Sequence, residues 1–364
     1  MKKIISIILI MASLLSFAAC SDSKYEPIKS SDEEARVMLT FKYEKEEYEV
    51  KYELYRALFL NLCNSYDGGD PSFWNTEAAI SAKEQINADI IDYCSDIFAT
   101  IHLSKKLGYD PYSKNADEQI EAYIATSVEG NNGDIEGFGG DYDAYLASLT
   151  KMNMNYSVQV LLLRYAIAYE KIVEHYAGTF NENNPSESDK GKLEYTESDV
   201  RSFYDSDECA RVSLIEINSL YISKETAQQR RDKIASFDNE DQALNYAVQF
   251  TAGTPDDILN GVVIGPHSLD NAYYSAVTSA AAELELHETS EVIEVTTDNE
   301  TSYWILYKRE KTEEYFTECY EDVESVYVSE SIGRIIDEVK RAIEETAEKS
   351  ELWNSIDHSA IEMK

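Results

Sequence analysis

Residues 210–217 read ARVSLIEI. A β-strand sends successive side chains to opposite faces, so Val212, Leu214 and Glu216 share one face and Arg211, Ser213, Ile215 and Ile217 the other. Leu214 is either ordinary core or the occupant of a place where a working side chain belongs. Which of the two holds decides whether the chain is an enzyme.

The texture around this stretch sets its context. Downstream, residues 223–250 predict two helices broken at FDNED, and VVIG (262–265) a second short strand. Residues 270–284 predict a helix of small residues. EVIEV (291–295) and SYWILYK (302–308) alternate as two strands joined through TTDNET. Together these pieces make an α+β unit of about 100 residues. After it, residues 331–353 (SIGRIIDEVKRAIEETAEKSELW) predict one long amphipathic helix with Ile332, Ile335, Val339, Ala342, Ile343 and Ala347 on one side.

Upstream the pattern is helical. Residues 77–107 carry Ile86, Ile90, Cys94, Ile97, Phe98 and Ile101 as a 3.6-residue stripe that stops at Leu107-Gly108. A shorter helix is predicted over 115–128, and a long one over 141–177 with a break near Met154-Asn155. YTESDVRSFYDS (195–206) reads as a helix capped by Thr196, with Asp199 three positions on. VMLTFKYEKEEYEVKYELYRALFLNL (37–62) begins β-like and turns helical, with Tyr48, Tyr52, Tyr55 and Phe59 at helical spacing. DGGDPSFWN (67–75) and EGNNGDIEGFGGD (129–141) are loops, and NENNPSESDKGK (181–192) is a linker. The glycines of 129–141 follow no strand, so they do not form a phosphate-binding loop.

The chain has 364 residues, a length suited to two domains, and 43% hydrophobic residues, enough for real cores. It has 32 basic and 69 acidic residues, a net charge of −37. That excludes nucleic acid as a partner, because phosphate binding needs clustered Lys and Arg. It also disfavours attachment to anionic lipid by charge, and favours attraction to basic peptides.

Lys2 and Lys3, the apolar run IISIILIMASLL (4–15) and the small residues of SFAAC (16–20) form a secretory signal. The segment resembles a bacterial lipoprotein signal, with Cys20 as the lipidated first residue of the mature chain. The apolar run is short for a membrane span. SDSKYEPIKSSDEEA (21–35) reads as a polar tether. Cys63, Cys94, Cys209 and Cys319 show no metal-ligand spacing, and three disulfide pairings remain open among them. Cys94 falls on a helical stripe, so a buried thiol is expected there. No cofactor is implied.

The order of pieces resembles the extracytoplasmic parvulin-type foldases, PrsA-like and SurA-like, over nearly the whole mature chain. KEQINADIIDYCSDIFATIHLSKKLGYD (83–110) is similar to the family's long helix with its "KKLG" turn. YTESDVRSFYDSDECARVSLIEI (195–217) is similar to the segment leading into the parvulin strand. SAAAELELHETSEVIEV (279–295) and SYWILYKREK (302–311) are similar to the parvulin helix, turn and closing strands. The resemblance implies an α+β fold. An all-helical chaperone domain, built from N-terminal helices plus a returning C-terminal helix, holds an inserted parvulin-like peptidyl-prolyl isomerase domain. The implied division is a signal over 1–19, a tether over 20–35, helical parts over 36–206 and 312–364, and the parvulin-like domain over 207–311.

The parvulin pocket uses two histidines at its floor, a Cys or Asp beside them, and Met and Phe to hold the proline. The resemblance places Leu214 and Trp304 at the two histidine positions. It places Gly253 near the Cys/Asp position, and Tyr273 and Val277 near the Met and Phe positions. All five depart from the pattern, and the loop 251–272 differs in length. Leu214 and Trp304 cannot make a histidine's hydrogen bonds. Of the histidines, His102, His175 and His358 lie outside the parvulin-like domain, while His267 and His287 lie inside it but off the matching positions. His267, after Gly265-Pro266, reads as a solvated loop histidine, the alternative being a displaced catalytic use at the border of the pocket.

The expectation is therefore a lipid-anchored chaperone or foldase at the outer face of the bacterial cytoplasmic membrane. It binds unfolded exported polypeptides and carries a degenerate isomerase domain, with a homodimer left open. The alternative is an active isomerase with an apolar pocket of Leu214, Trp304 and Tyr273. A third reading, a solute-binding or structural lipoprotein, lacks any metal cluster, phosphate loop or activated nucleophile.

Overall fold

A computed structural model of the chain describes residues 25–130, 137–179, 189–267, 275–296 and 301–362. The chain is α+β. It opens with a hairpin, β1 (Val37–Tyr43) and β2 (Glu46–Lys51), turning at Glu44 with φ 53°. Tyr48 thus lies in a strand and not on the predicted helix. Tyr48 and Val50 point inward and Glu47 and Glu49 outward, a period of two that wins over the coincidental helical spacing of the tyrosines.

Helix α1 (Tyr52–Asp67) follows at once and stops at Gly68, whose φ of 60° is the left-handed conformation that favours glycine. A short 3₁₀ turn, Pro71–Asn75, then buries Trp74. Helices α2 (Ala79–Lys106), α3 (Lys114–Glu129), α4 (Tyr142–Lys151) and α5 (Tyr156–Ala177) complete this body. The predicted break in 141–177 falls between α4 and α5, where Asn153 takes φ 59° and the Asn155 side chain accepts from the amide of Val158.

Gly178–Thr179, just before the predicted linker, pairs as β3 with β4 (Asp189–Lys190) inside it. Helix α6 (Glu197–Asp205) carries the expected capping box between Thr196 and Asp199.

The second unit is β5 (Ala210–Asn218), α7 (Lys224–Ala235), α8 (Glu240–Ala247), α9 (Pro255–Leu259), β6 (Val262–Ile264), α10 (Ser275–Glu283), β7 (Ile293–Thr296) and β8 (Thr301–Lys308). Its strands form an antiparallel sheet in the order β6–β5–β8–β7. One face, with Ile215, Ile217, Ile305 and Tyr307, is covered by α7, α8 and Ile258 of α9. The other, with Val212, Leu306 and Trp304, is covered by Val277 and Ala281 of α10.

Helices α11 (Glu313–Glu318) and α12 (Tyr320–Glu344) return the chain to the first body. Ile332 and Ile336 of α12 pack with Leu103 of α2 and Ile172 of α5, and Lys340 reaches Asp92 at 2.7 Å. The long helix predicted over 331–353 ends at Glu344. Thr346 turns the chain, its hydroxyl accepting from the amide of Lys42, and β9 (Glu348–Lys349) pairs with Leu39 and Thr40 of β1 before α13 (Glu351–Ser355). The helical body therefore contains a three-stranded sheet, β2–β1–β9, and is not helical throughout. Ile343, Trp353 and Ile361 join its core.

The predicted tether is held from Tyr25 onward. Tyr25 packs against Tyr142 with ring centroids 4.9 Å apart, Ser30 donates to Glu53 at 2.6 Å, and Glu34 pairs with Arg56 at 2.8 Å. Charged and hydroxyl side chains that read as solvated in a linear sequence find fixed partners here. Among the described residues, no helix is long and apolar enough to cross a membrane.

Candidate functional site

The antiparallel register sets Leu214 opposite Leu306 and Glu216 opposite Trp304. Residues directly opposite one another in such a pair point to the same face, so Leu214, Glu216, Trp304 and Leu306 share one surface. Val277 descends onto it from α10 and is fully buried. Trp304 is 9% exposed, and its ring N–H donates to the Ser302 hydroxyl at 2.7 Å. Leu214 is half-buried at the edge of the same cluster. Val277 and Trp304 thus meet in one apolar cluster, with Leu214 packed at its edge.

Gly253 arrives by a different route. The amide of Ala252 and the hydroxyl of Thr251 both donate to the carbonyl of Glu216, at 2.7 and 3.2 Å, tying the loop to β5. A Cβ added at Gly253 would stand 3.6 Å from the Glu216 Cβ. Tyr273 and Cys20 lie outside the described residues.

While Val277 packs with Trp304, Leu214, Trp304 and Gly253 flank Glu216, a residue that sequence reasoning placed on the right face and left without a role. It is half-buried, and burial lifts its carboxyl above the usual carboxylate range. The signal was present in the alternation Val212-Leu214-Glu216: a carboxylate that shares a strand face with two aliphatic residues is set to be partly desolvated. Trp304 as its cross-strand neighbour is visible only once the register is fixed.

The histidines stand in other settings. His102 Nδ1 and the Tyr48 hydroxyl lie 2.8 Å apart, and burial pushes this imidazole down. His358 Nε2 lies 3.2 Å from the Tyr55 hydroxyl, and its ring lies against those of Phe59 and Trp74. His287 meets Glu240 at 3.2 Å. His267 turns toward α12, with Nε2 3.5 Å from Asp337.

Cys63, Cys94, Cys209 and Cys319 are all free thiols. Cys94 is fully buried, and burial raises its thiol well above the ordinary cysteine range. Among the described residues, no group of three or more His, Cys, Asp and Glu side chains is placed to hold a metal ion.

No protein-family model matches the chain. No curated protein matches it either. Among solved structures it is similar to the foldase protein PrsA from Streptococcus pneumoniae, with 15% identity, a TM-score of 0.29, and coverage of 72% of this chain and 84% of that one. PrsA from Bacillus subtilis gives 12% identity, a TM-score of 0.24, and coverage of 82% and 88%. The foldase protein PrsA from Lactococcus lactis gives 12% identity, a TM-score of 0.24, and coverage of 90% and 99%.

Proposed function

We propose that the chain is a lipid-anchored extracytoplasmic chaperone or foldase whose parvulin-like unit has lost isomerase chemistry. One observation carries the reading: Leu214 and Trp304, which stand where the resemblance puts two histidines, pack in one apolar cluster with Val277, Leu214 at its edge. Rotation about the X-Pro bond has a barrier of ~18–20 kcal/mol. Lowering it requires polar groups aimed at the twisted amide; Leu214 has none, and the ring N–H of Trp304 is engaged by the Ser302 hydroxyl.

The order of an opening strand (β5), a small-residue helix (α10) and two closing strands (β7, β8) supports assigning 207–311 to the parvulin-like domain. The helical parts are then 36–206 and 312–364. Cys20 carries the lipid in this reading and holds the body at the outer face of the cytoplasmic membrane. Unfolded exported polypeptides are the partners.

The test is a pair of measurements on the protein. It should delay aggregation of a proline-free unfolded client at equimolar ratio, and X-Pro exchange followed by NMR should run at the background rate. Failure to delay aggregation removes the chaperone reading.

The second reading, an active isomerase, is favoured by Glu216: a carboxyl lifted by burial beside Trp304 is a group able to hydrogen-bond a substrate amide. Exchange above background that is lost in both Glu216→Gln and Trp304→Ala would establish it.

A further inference from the structure

The helical body has a sheet edge lying beside an apolar groove. In the order β2–β1–β9, the far side of β2 pairs with no strand among the described residues. The hairpin closes with Tyr43 opposite Glu46, so along β2 alternate residues turn their N–H and C=O groups toward β1 and the intervening ones, Glu47 and Glu49, turn theirs outward. Beside this edge runs a groove of about 480 Å³. Leu54, Phe98 and Val158 are its buried floor, Leu161 is half-buried, and Glu47 and Glu49 stand on its exposed rim.

Charged side chains on an edge strand keep it from pairing indiscriminately. Here the two outward positions carry the same sign. Three nearby cations are engaged elsewhere: Arg164 pairs with Asp117 at 2.6 Å and stacks on Tyr112, Lys105 pairs with Glu46 at 2.7 Å, and Lys42, opposite Glu47, pairs with Glu348 at 2.7 Å, while Lys51 stands exposed at the end of the strand. The edge is thus closed to acidic strands and open to basic ones. The whole-chain charge of −37 adds long-range attraction of the same sense.

We propose that β2 is a docking edge for an extended polypeptide segment in which apolar and basic residues alternate. The segment adds as a fourth strand. Its N–H and C=O groups pair with those of Glu47 and Glu49, its apolar side chains enter the groove toward Leu54 and Phe98, and its basic side chains lie beside the two carboxylates. Lys51 marks the end of the edge where a basic residue is not accommodated. Backbone pairing makes capture tolerant of sequence, and the rim carboxylates set the sign preference. As the identity of a client-binding surface, the inference rests on the chaperone reading, although the edge itself does not depend on it.

The experiment is fluorescence anisotropy of the protein with a labelled nine-residue peptide of alternating valine and lysine, and with the same peptide carrying glutamate for lysine. The lysine peptide should bind at least tenfold more tightly. Glu49→Pro removes an outward N–H at a position where an edge strand tolerates proline, and should weaken binding at least tenfold. Glu47→Lys with Glu49→Lys should reverse the preference between the two peptides. Equal binding of both peptides, or binding unchanged in Glu49→Pro and in the charge-reversed protein, overturns the proposal. A self-associated protein that turns monomeric in Glu49→Pro also overturns it, by making the edge an interface between copies. Delayed client aggregation without edge binding rejects this site alone; edge binding without delayed aggregation rejects the chaperone reading and leaves the site standing.

Discussion

The backbone amide of His267 donates to Glu330 Oε1 at 2.6 Å, joining the loop after β6 to a carboxylate of α12 that has no solvent exposure. Two glycines make the approach feasible. A Cβ at Gly265 would fall 2.4 Å from Glu330 Oε1, and one at Gly333 would fall 2.5 Å from His267 Cγ. The helix and the loop therefore meet at backbone distance. Gly333→Ala should cost ~1–3 kcal/mol, the usual range for overpacking, while Gly253→Ala, with no neighbour closer than 3.5 Å, should be nearly neutral. Urea unfolding of the two variants checks the contrast; equal midpoints would mean that the contact relaxes freely.

Trp304 and Leu214 differ in what they hold together. Trp304→Ala should destabilise by ~3–5 kcal/mol, as expected for a buried aromatic, and half-buried Leu214→Ala by less, ~2 kcal/mol at most. Denaturant midpoints give the order directly. A larger loss at Leu214 would place the weight of this sheet face at its open end and not under α10.

Acid should weaken the helical body through His358. Burial beside Phe59 and Trp74 pushes this imidazole down to about 4 from an ordinary value of 6.5. Between those values the unfolded chain binds a proton that the folded chain refuses, so stability falls as the pH falls. From pH 7 to pH 5 the loss is ~2 kcal/mol. Glu34 acts in a lower window. Burial pulls its carboxyl upward, but hydrogen bonds from Ser31, Arg56 and Asn155 outweigh that and hold it near about 2. His358→Gln should flatten the pH 7 to pH 5 dependence; an unchanged slope would locate the acid sensitivity elsewhere.

Glu216 works in the opposite sense. Its carboxyl is raised in the folded protein, so the folded chain binds the extra proton and stability falls as pH rises through that window. Glu216→Gln should therefore raise the thermal midpoint at pH 7, with the gain shrinking toward zero near pH 4. A midpoint lowered at pH 7 would show that the carboxylate is held by an interaction stronger than its burial.

Much of this architecture was legible because it is local. The 3.6-residue stripe of α2, the Thr196–Asp199 capping box and the alternation of β5 each announce themselves within a dozen residues. Strand β1 read as β-like, but its return as β2 was hidden because the turn, Glu44-Lys45, has no glycine and the tyrosines mimic a helical repeat. Strand β9 is two residues long and exists only because β1 is there to receive it. Glu330 sits on an amphipathic helix like any solvated glutamate; its burial follows from an amide 63 positions earlier. Around the candidate site, the strand face was readable and the convergence on Glu216 was not, since the register and the 251–253 loop are products of tertiary folding.

The pairing of β9 with β1 closes a loop that spans most of the polypeptide. Synthesis runs from the N-terminus, so β1 emerges long before its partner exists. The unit from β5 to β8 is contiguous and is free to condense as soon as it has been made. In the first body, one backbone edge of β1 stays unpaired until Lys349 and Ser350 arrive to bond it. Contacts so far apart in sequence slow the final step, and removal of the last twenty residues should leave the earlier part of the chain with an exposed, unfinished core.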